Sequence, residues 1–91
     1  MSERRTATVR IANKRGLHAR ASAKVVEAAA RFESEILITK DGQDVNARSI
    51  MGLMMLAASL GTEIQISAEG PDAAEALVAL LALAEAKFGE E

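Results

Sequence analysis

Polar and apolar residues alternate over residues 6–11 and again over residues 63–68, which is the period of a half-buried β-strand. Residues 35–40 predict a further strand. The Asp-Gly pair at 41–42 favours a tight hairpin, so a short strand is also expected over residues 43–47. Strands that expose alternate polar residues are typical of an antiparallel sheet covered on one face only.

Two segments between these strands show helical spacing of apolar residues. Residues 19–31 predict a helix with one apolar face. The residues assigned to that face are Ala23, Val26 and Ala30. Residues 49–58 predict a shorter helix that Ser49 caps and that is apolar nearly all round.

A third helix is predicted near the end of the chain. Gly70-Pro71 opens it, with the proline at the first helical position, where its missing N–H is not needed. The apolar residues that follow at helical spacing are Leu77, Leu81, Ala84 and Phe88. Residues 89–91 are expected to fray.

The predicted element order is β-α-β-β-α-β-α. Helices packed on one face of an antiparallel sheet form an open-faced sandwich, so the fold class is α+β with three helices on one side of four strands. The chain has 91 residues, enough to bury one core, and residues 1–91 are predicted to form a single domain.

Composition excludes several classes of function. The chain has no cysteine, which excludes disulfides, thiolate zinc sites and cysteine catalysis. No apolar region of a secretory signal and no run near the ~20 residues of a membrane span is visible, so a cytoplasmic protein is expected. No cofactor is implied.

Charge is unevenly distributed along the chain. Residues 1–31 hold eight of the eleven cations and two carboxylates, whereas residues 32–91 hold three cations and eleven carboxylates. A basic first third favours an anionic ligand or an acidic partner surface. Nucleic acid is not favoured, because the only aromatic residues, Phe32 and Phe88, occupy predicted core positions and offer no stacking platform.

The only histidine, His18, lies between a glycine loop and the first predicted helix. A helix start exposes unpaired N–H groups that suit an anion such as phosphate, and imidazole can act as a nucleophile. This position predicts phosphoryl transfer through His18, with Arg20 able to add a charge-assisted hydrogen bond. A histidine that merely caps the helix is the alternative. A metal site or a Ser-His-Asp hydrolase is not supported, because the needed partners are missing.

The helix after Ser49 is more apolar than one buried face requires. Ile50, Met51 or Met54 is therefore predicted to remain exposed as a docking patch, while the alternative is a capping serine followed by a core helix. A phosphate on Ser49 would be tolerated at a helix start and would place negative charge beside that patch. Arg48 is the nearest cation in sequence.

The chain resembles the HPr family of phosphocarriers of the bacterial phosphotransferase system over essentially its whole length. Four segments carry the resemblance: Gly16-Leu17-His18-Ala19-Arg20, Ser49-Ile50-Met51-Gly52-Leu53-Met54, Gly61-Thr62-Glu63-Ile64 and Ser67-Ala68-Glu69-Gly70. It implies the fold expected above and a carrier, not an enzyme.

The resemblance also implies roles for particular residues. His18 would accept a phosphoryl group on Nδ1 from phosphorylated enzyme I and pass it to an enzyme IIA. Arg20 matches the active-site arginine of the family, and Ser49 matches the serine that HPr kinase/phosphorylase modifies in many bacteria. Partner contacts are expected at Arg15, Gly16, Leu17, Ile50, Met51 and Met54. Docking to two partners in turn suits a monomer.

Two positions depart from the usual pattern of the family. Ala21-Ser22 follow the arginine where proline and alanine are usual, and Arg15 replaces a small polar residue. Residues 13–16, residues 53–56 and the Gly70-Pro71 entry resemble the nitrogen-related branch, so a regulatory phosphorelay is expected. Sugar uptake, an interaction module switched at Ser49, and a ligand-binding or structural domain stay open as alternatives.

Overall fold

The computed structural model describes residues 4–90. The strands are β1 (Arg4–Arg10), β2 (Glu35–Lys40), β3 (Gln43–Asn46) and β4 (Glu63–Glu69). The helices are α1 (Ala19–Ala29), α2 (Ile50–Met55) and α3 (Ala73–Glu85), and a 3₁₀ turn (Lys87–Gly89) follows α3. The predicted element order is confirmed.

The four strands form one antiparallel sheet in the order β1-β4-β2-β3. The hairpin between β2 and β3 pairs Lys40 with Gln43. Its two turn residues, Asp41 and Gly42, have φ values of 51° and 79°. Positive φ at both positions is the requirement of the type I′ turn that Asp-Gly favours, so the predicted hairpin is confirmed.

One hydrophobic core lies between the sheet and its helices. The sheet contributes four isoleucines, and the helices contribute Leu53 of α2 and Leu80 of α3. The four are Ile36, Ile38, Ile64 and Ile66. The open-faced α+β sandwich is thereby confirmed, with α1 packed against both α2 and α3.

The buried face of α1 differs from the predicted one. The helix buries Ala21, Ser22, Val25 and Ala29. Ala23 and Ala30 are exposed, so their assignment to the buried face is wrong by about one residue of helical rotation. Val26 is half-buried and packs against the core. Alanine occurs all around this helix, and such a small apolar side chain does not mark a face.

The start of α3 also differs. Asp72 is the N-cap and Ala73 the first helical residue, so Pro71 precedes the helix instead of opening it. The Asp72 carboxylate makes no capping bond to its own helix. It accepts hydrogen bonds from the Ser34 hydroxyl at 2.5 Å and the backbone N–H groups of Ser34 at 2.9 Å and Glu33 at 3.0 Å. These donors lower the pKa of Asp72 and join the start of α3 to the start of β2.

Residues 87–90 fold back onto the protein, so the prediction of a frayed end is wrong for the described part; Glu91 lies outside the described residues. Lys87, Phe88 and Gly89 all have positive φ. The left-handed conformation costs roughly 1–2 kcal/mol for each non-glycine residue. Burial of the Phe88 ring, which is 2% exposed, offsets this cost by stabilising the folded state by about 2–3 kcal/mol.

In the region described, no helix has the length and apolar character needed to cross a membrane.

Candidate functional site

The loop before α1 is held against the segment that follows α2. Gly16 has a φ of 63°, and a Cβ at this position would lie 2.2 Å from the carbonyl oxygen of Ala58. The next residue, Leu17, donates its N–H to that same oxygen at 2.9 Å. Only glycine tolerates both a left-handed backbone and so close an approach to a carbonyl oxygen. The contact between Gly16 and Ala58 therefore fixes the position of His18, which caps α1.

Gly16 and Leu17 are both buried, and Leu17 is only 5% exposed. Their expected role as partner-contact residues is therefore corrected: neither offers a surface, and both act by holding the loop in place. Arg15 of the same loop is exposed, as a partner-contact residue needs to be.

His18 is the N-cap residue of α1. Its backbone is extended, with φ −74° and ψ −177°, and its Nδ1 accepts a hydrogen bond from the backbone N–H of Arg20 at 3.3 Å. Ser22 locks the turn, because its N–H donates to the His18 carbonyl at 2.8 Å and its hydroxyl to the Leu17 carbonyl at 3.1 Å. The imidazole therefore lies over the positive end of the helix.

A carboxylate contacts the other ring nitrogen. Glu90 Oε2 accepts from His18 Nε2, and Glu90 Oε1 accepts from Asn13 Nδ2 at 2.9 Å. Asn13 also donates to the Gly16 carbonyl at 2.8 Å, and its side chain is fully buried. The Asn13 hydrogen bond, followed by the hydrogen bond and charge of His18 and the charge of Arg15, lowers the pKa of Glu90.

These contacts define the tautomer of His18. A nitrogen that accepts from a backbone N–H carries no proton, so Nδ1 has the free lone pair. A carboxylate held ionised requires a donor, so Nε2 carries the proton. The ring nitrogen with the free lone pair is thus the one at the helix start.

Sequence reasoning missed Asn13 and Glu90. The sequence predicts a loop around Asn13 and a frayed end at Glu90, which lies 72 residues from its histidine partner. Hydrophobic spacing does not reveal a contact between residues so far apart in the chain.

Four exposed cations surround the site: Lys14, Arg15, Arg20 and Lys24. The Arg20 backbone is fixed by its bond to His18, and its side chain extends from the first turn of α1. The backbone N–H of Arg20 contacts the His18 ring, and the charge of Arg15 acts on Glu90, the partner of that ring. None of the groups of His, Asp and Glu within residues 4–90 is arranged to hold a metal ion.

Ser49 lies in a different environment. Its hydroxyl accepts the N–H of Gly52 at 3.0 Å, which confirms the predicted cap of α2. Arg48 does not face Ser49: its guanidinium donates to the carbonyls of Ala29 and Phe32, where α1 ends. The cation nearest to Ser49 in sequence is therefore used to join α1 to the start of α2.

The surface of α2 carries four exposed apolar side chains, called here the α2 patch. They are Ile50 (40% exposed), Met51 (70%), Met54 (42%) and Met55 (70%). The first three were predicted, and Met55 was missed. From residues 49–58, Leu53, Leu56 and Ala58 face the core. The helix that follows the capping serine therefore packs against the core through one face only. Exposed clusters of this kind mark interaction sites.

An open-faced sandwich with an unprotonated imidazole nitrogen at a helix start has the arrangement of a small phosphoryl carrier. The family model described as PTS HPr component phosphorylation site matches residues 5–86. The chain therefore belongs to the HPr family of phosphocarrier proteins of the phosphotransferase system, which carry a phosphoryl group and do not themselves catalyse a reaction.

Relatives and solved structures agree with this membership. Phosphocarrier protein HPr of Cupriavidus necator is 51% identical over 80 residues, covering 88% of this chain and 90% of the relative. HPr-like protein Crh of Bacillus subtilis is 51% identical over 74 residues, covering 81% and 87%. The crystal structure of HPr-C-His from Thermoanaerobacter tengcongensis has a TM-score of 0.91 at 50% identity, covering 96% of this chain and 98% of that one.

The comparisons do not support the expected monomer. A similar crystal structure, with a TM-score of 0.76 and 51% identity over 92% of this chain and 97% of that one, is described as an HPr dimer from Thermoanaerobacter tengcongensis. The relatives named above are called HPr or HPr-like, and neither name refers to nitrogen regulation.

Proposed function

We propose that His18 is the phosphoryl acceptor of this carrier, receiving the group on Nδ1 from phosphorylated enzyme I and passing it to an enzyme IIA. HPr proteins generally have these two partners in the phosphotransferase system. The single observation that carries the proposal is the orientation of the ring: Nδ1 faces the start of α1 while Nε2 is held by Glu90.

The chemistry follows from that orientation. The Nδ1 lone pair attacks phosphorus, and the bond from phosphorus to the donor breaks with its electron pair going to the donor. Nε2 keeps its proton, so the ring becomes cationic and its charge is balanced by the Glu90 carboxylate. The Arg20 N–H, released from Nδ1, is then available to a phosphoryl oxygen, and the Arg20 guanidinium adds a charge-assisted bond.

The carrier must also release the group. A surface helix start contributes only ~0.3–1 kcal/mol to an anion, which stabilises the phosphorylated ring without trapping it. Arg20 is exposed, so solvent screens its charge and its contact with the phosphoryl group also stabilises without trapping.

Docking is proposed at the face that Arg15, Arg20 and the α2 patch share. The hydrogen bond from Leu17 to Ala58 holds the His18 loop against the chain that leaves α2. A partner that reaches His18 therefore meets cations and adaptable methionines together, which suits an acidic surface with an apolar centre. The proposed location is the cytoplasm.

The branch is proposed to be the nitrogen-related one, on the resemblance of residues 13–16 and 53–56 to that branch. Sugar uptake is the second candidate, and the names of the relatives refer to neither role. The preferred donor distinguishes the two, because a sugar-type and a nitrogen-type enzyme I can be offered side by side.

The test is phosphorylation from phosphoenolpyruvate with each enzyme I, followed by mass measurement. One acid-labile phosphate is expected on the protein and none on H18A. R31Q, which removes an exposed cation beyond the end of α1, is the matched control and should be labelled like the unchanged protein. Labelling of H18A to the same extent would show that His18 is not the acceptor.

An interaction module switched at Ser49 is the second candidate from a different class. The observation that favours it is the position of the Ser49 hydroxyl at the start of the helix that carries the α2 patch. A phosphate there would add about −2 charge beside four apolar side chains. This function requires that S49D change partner affinity and H18A leave it unchanged; the opposite result discards it.

A further inference from the structure

A cleft of about 420 Å³ lies beside His18, between the start of α1 and the C-terminal segment. We call it the basic cleft. Its lining residues are Lys14, Arg15, Arg20, Lys24, Phe88, Gly89 and Glu90. The volume falls in the range of about 300–1,000 Å³ that is usual for small-molecule sites.

The cations of the basic cleft come in two pairs on two elements. Lys14 and Arg15 belong to the loop before α1, and Arg20 and Lys24 are four residues apart on α1, which places them on one face of that helix. Lys24 reaches across to the opposite wall, because its Nζ would lie 2.7 Å from a Cβ built at Gly89.

These four cations are not neutralised by the described part of the chain. Within residues 4–90, ion pairs involve Arg4, Arg10, His18 and Lys40 instead. Among residues 4–90, Glu90 is the only carboxylate on the walls of the cleft, and both of its oxygens are engaged, by Asn13 and His18. The basic cleft therefore keeps a net positive charge.

We propose that the basic cleft is a binding site for a small anion with two phosphate groups, one for each pair of cations. The two pairs lie on different elements that line the same cleft, and we assign one phosphate group to each pair. A nucleotide base is not favoured, because the only aromatic lining residue, Phe88, is 2% exposed and offers no ring face for stacking. The class of ligand that fits is a sugar bisphosphate or an inorganic diphosphate.

This site shares Arg15 and Arg20 with the proposed docking face, but it does not require His18 to be the phosphoryl acceptor. The basic cleft is concave and polar on its charged wall, whereas the α2 patch is an exposed apolar helix surface. A concave site of this size suits a small molecule, and the apolar helix suits a protein partner.

The experiment is calorimetric titration of the unchanged protein with three probes at low ionic strength: inorganic pyrophosphate, a hexose bisphosphate and a nucleoside diphosphate. Saturable binding of one molecule is expected, with no preference for the nucleoside over pyrophosphate. Inorganic phosphate should bind at least tenfold more weakly than pyrophosphate, because it engages one cation pair instead of two.

Variants assign the binding to the cleft. K14Q/K24Q, which removes one cation from each pair, should weaken pyrophosphate binding about tenfold or more. R31Q is the matched control outside the cleft and should bind normally. Enzyme I labelling of the unchanged protein is measured in parallel. A labelled protein that does not bind pyrophosphate shows failure of this site, and a protein that binds pyrophosphate but is not labelled shows failure of the proposed function. The proposal would be overturned if the unchanged protein showed no saturable binding, or if R31Q weakened pyrophosphate binding as much as K14Q/K24Q. It would also be overturned if K14Q/K24Q lost enzyme I docking but bound pyrophosphate normally.

Discussion

The two regions that bear a candidate modification residue are built in opposite ways. Around His18, contacts come from distant parts of the chain: Glu90 lies 72 residues away from the histidine and contacts Nε2, and Ala58 receives the loop N–H. The Ser49 hydroxyl accepts a hydrogen bond from the backbone N–H of Gly52, three residues away. One site depends on the whole fold, and the other on a single turn of helix.

The difference matches what each region is proposed to do. Phosphoryl transfer requires one ring nitrogen to be unprotonated and correctly aimed, which a local turn cannot ensure alone. Docking of several partners is served by exposed methionines, whose flexible side chains adapt to different surfaces. Rigidity at His18 and adaptability at the α2 patch can therefore coexist in one small fold.

The largest effect should come from breaking the contact that holds the His18 loop. G16A places a Cβ 2.2 Å from the Ala58 oxygen and forces alanine into a left-handed backbone. We expect the free energy of unfolding to fall by roughly 3 kcal/mol, together with most of the phosphorylation rate. Urea unfolding and the enzyme I assay measure the two effects.

G61A is the matched control for this prediction. Gly61 has a φ of 87°, but nothing lies within 4 Å of a Cβ built there. Only the backbone cost of about 1–2 kcal/mol should appear, and His18 should be phosphorylated normally. Equal losses in both variants would show that the approach to Ala58 is not what positions the loop.

The second effect concerns Glu90. An amide has one acceptor oxygen, so E90Q cannot accept from both Asn13 Nδ2 and His18 Nε2 as the carboxylate does. Groups that fix the tautomer of a histidine are worth roughly tenfold in activity, and we expect a loss of that size in phosphoryl transfer. Nitrogen chemical shifts of the ring should show a smaller share of the Nε2–H tautomer.

Glu90 also predicts a dependence on pH. Its pKa is lowered from 4.5 in the folded protein, so its contribution to stability is present above that value and disappears as the pH falls through the folded pKa. The difference in unfolding free energy between the unchanged protein and E90Q should therefore shrink as the pH is lowered below about 4.5. E85Q, an exposed glutamate of α3, should show no such trend.

Sequence patterns predicted most of the local features, apart from the buried face of α1 and the first residue of α3, and missed the distant contacts. The strands, the Asp-Gly hairpin, the Ser49 cap and the position of His18 at a helix start all depend on neighbours within a few residues. The bond from His18 to Glu90 depends on how α3 ends. A left-handed turn through Lys87 and Phe88 is held by burial of the Phe88 ring, which hydrophobic spacing alone does not reveal.

The third effect removes the local cap. S49A loses the hydrogen bond to the Gly52 N–H, and loss of a serine N-cap costs about 1 kcal/mol. The unfolding free energy should fall by that amount while enzyme I labels His18 at an unchanged rate. S49D, which retains an acceptor at the cap, should restore most of the stability. A slower phosphorylation of S49A would mean that the two regions are coupled.

The smallest effect on stability should come from the α2 patch. Met55 is 70% exposed, so M55Q removes little buried area and should change the unfolding free energy by less than about 0.5 kcal/mol. Affinity for enzyme I should nevertheless fall, because the apolar surface loses a contact that a polar side chain does not replace. V78Q is the matched control, since Val78 is 67% exposed on α3 outside the patch. If V78Q weakens docking as much as M55Q, exposed apolar area in general binds the partner, and the division between a rigid chemical site and an adaptable docking helix fails.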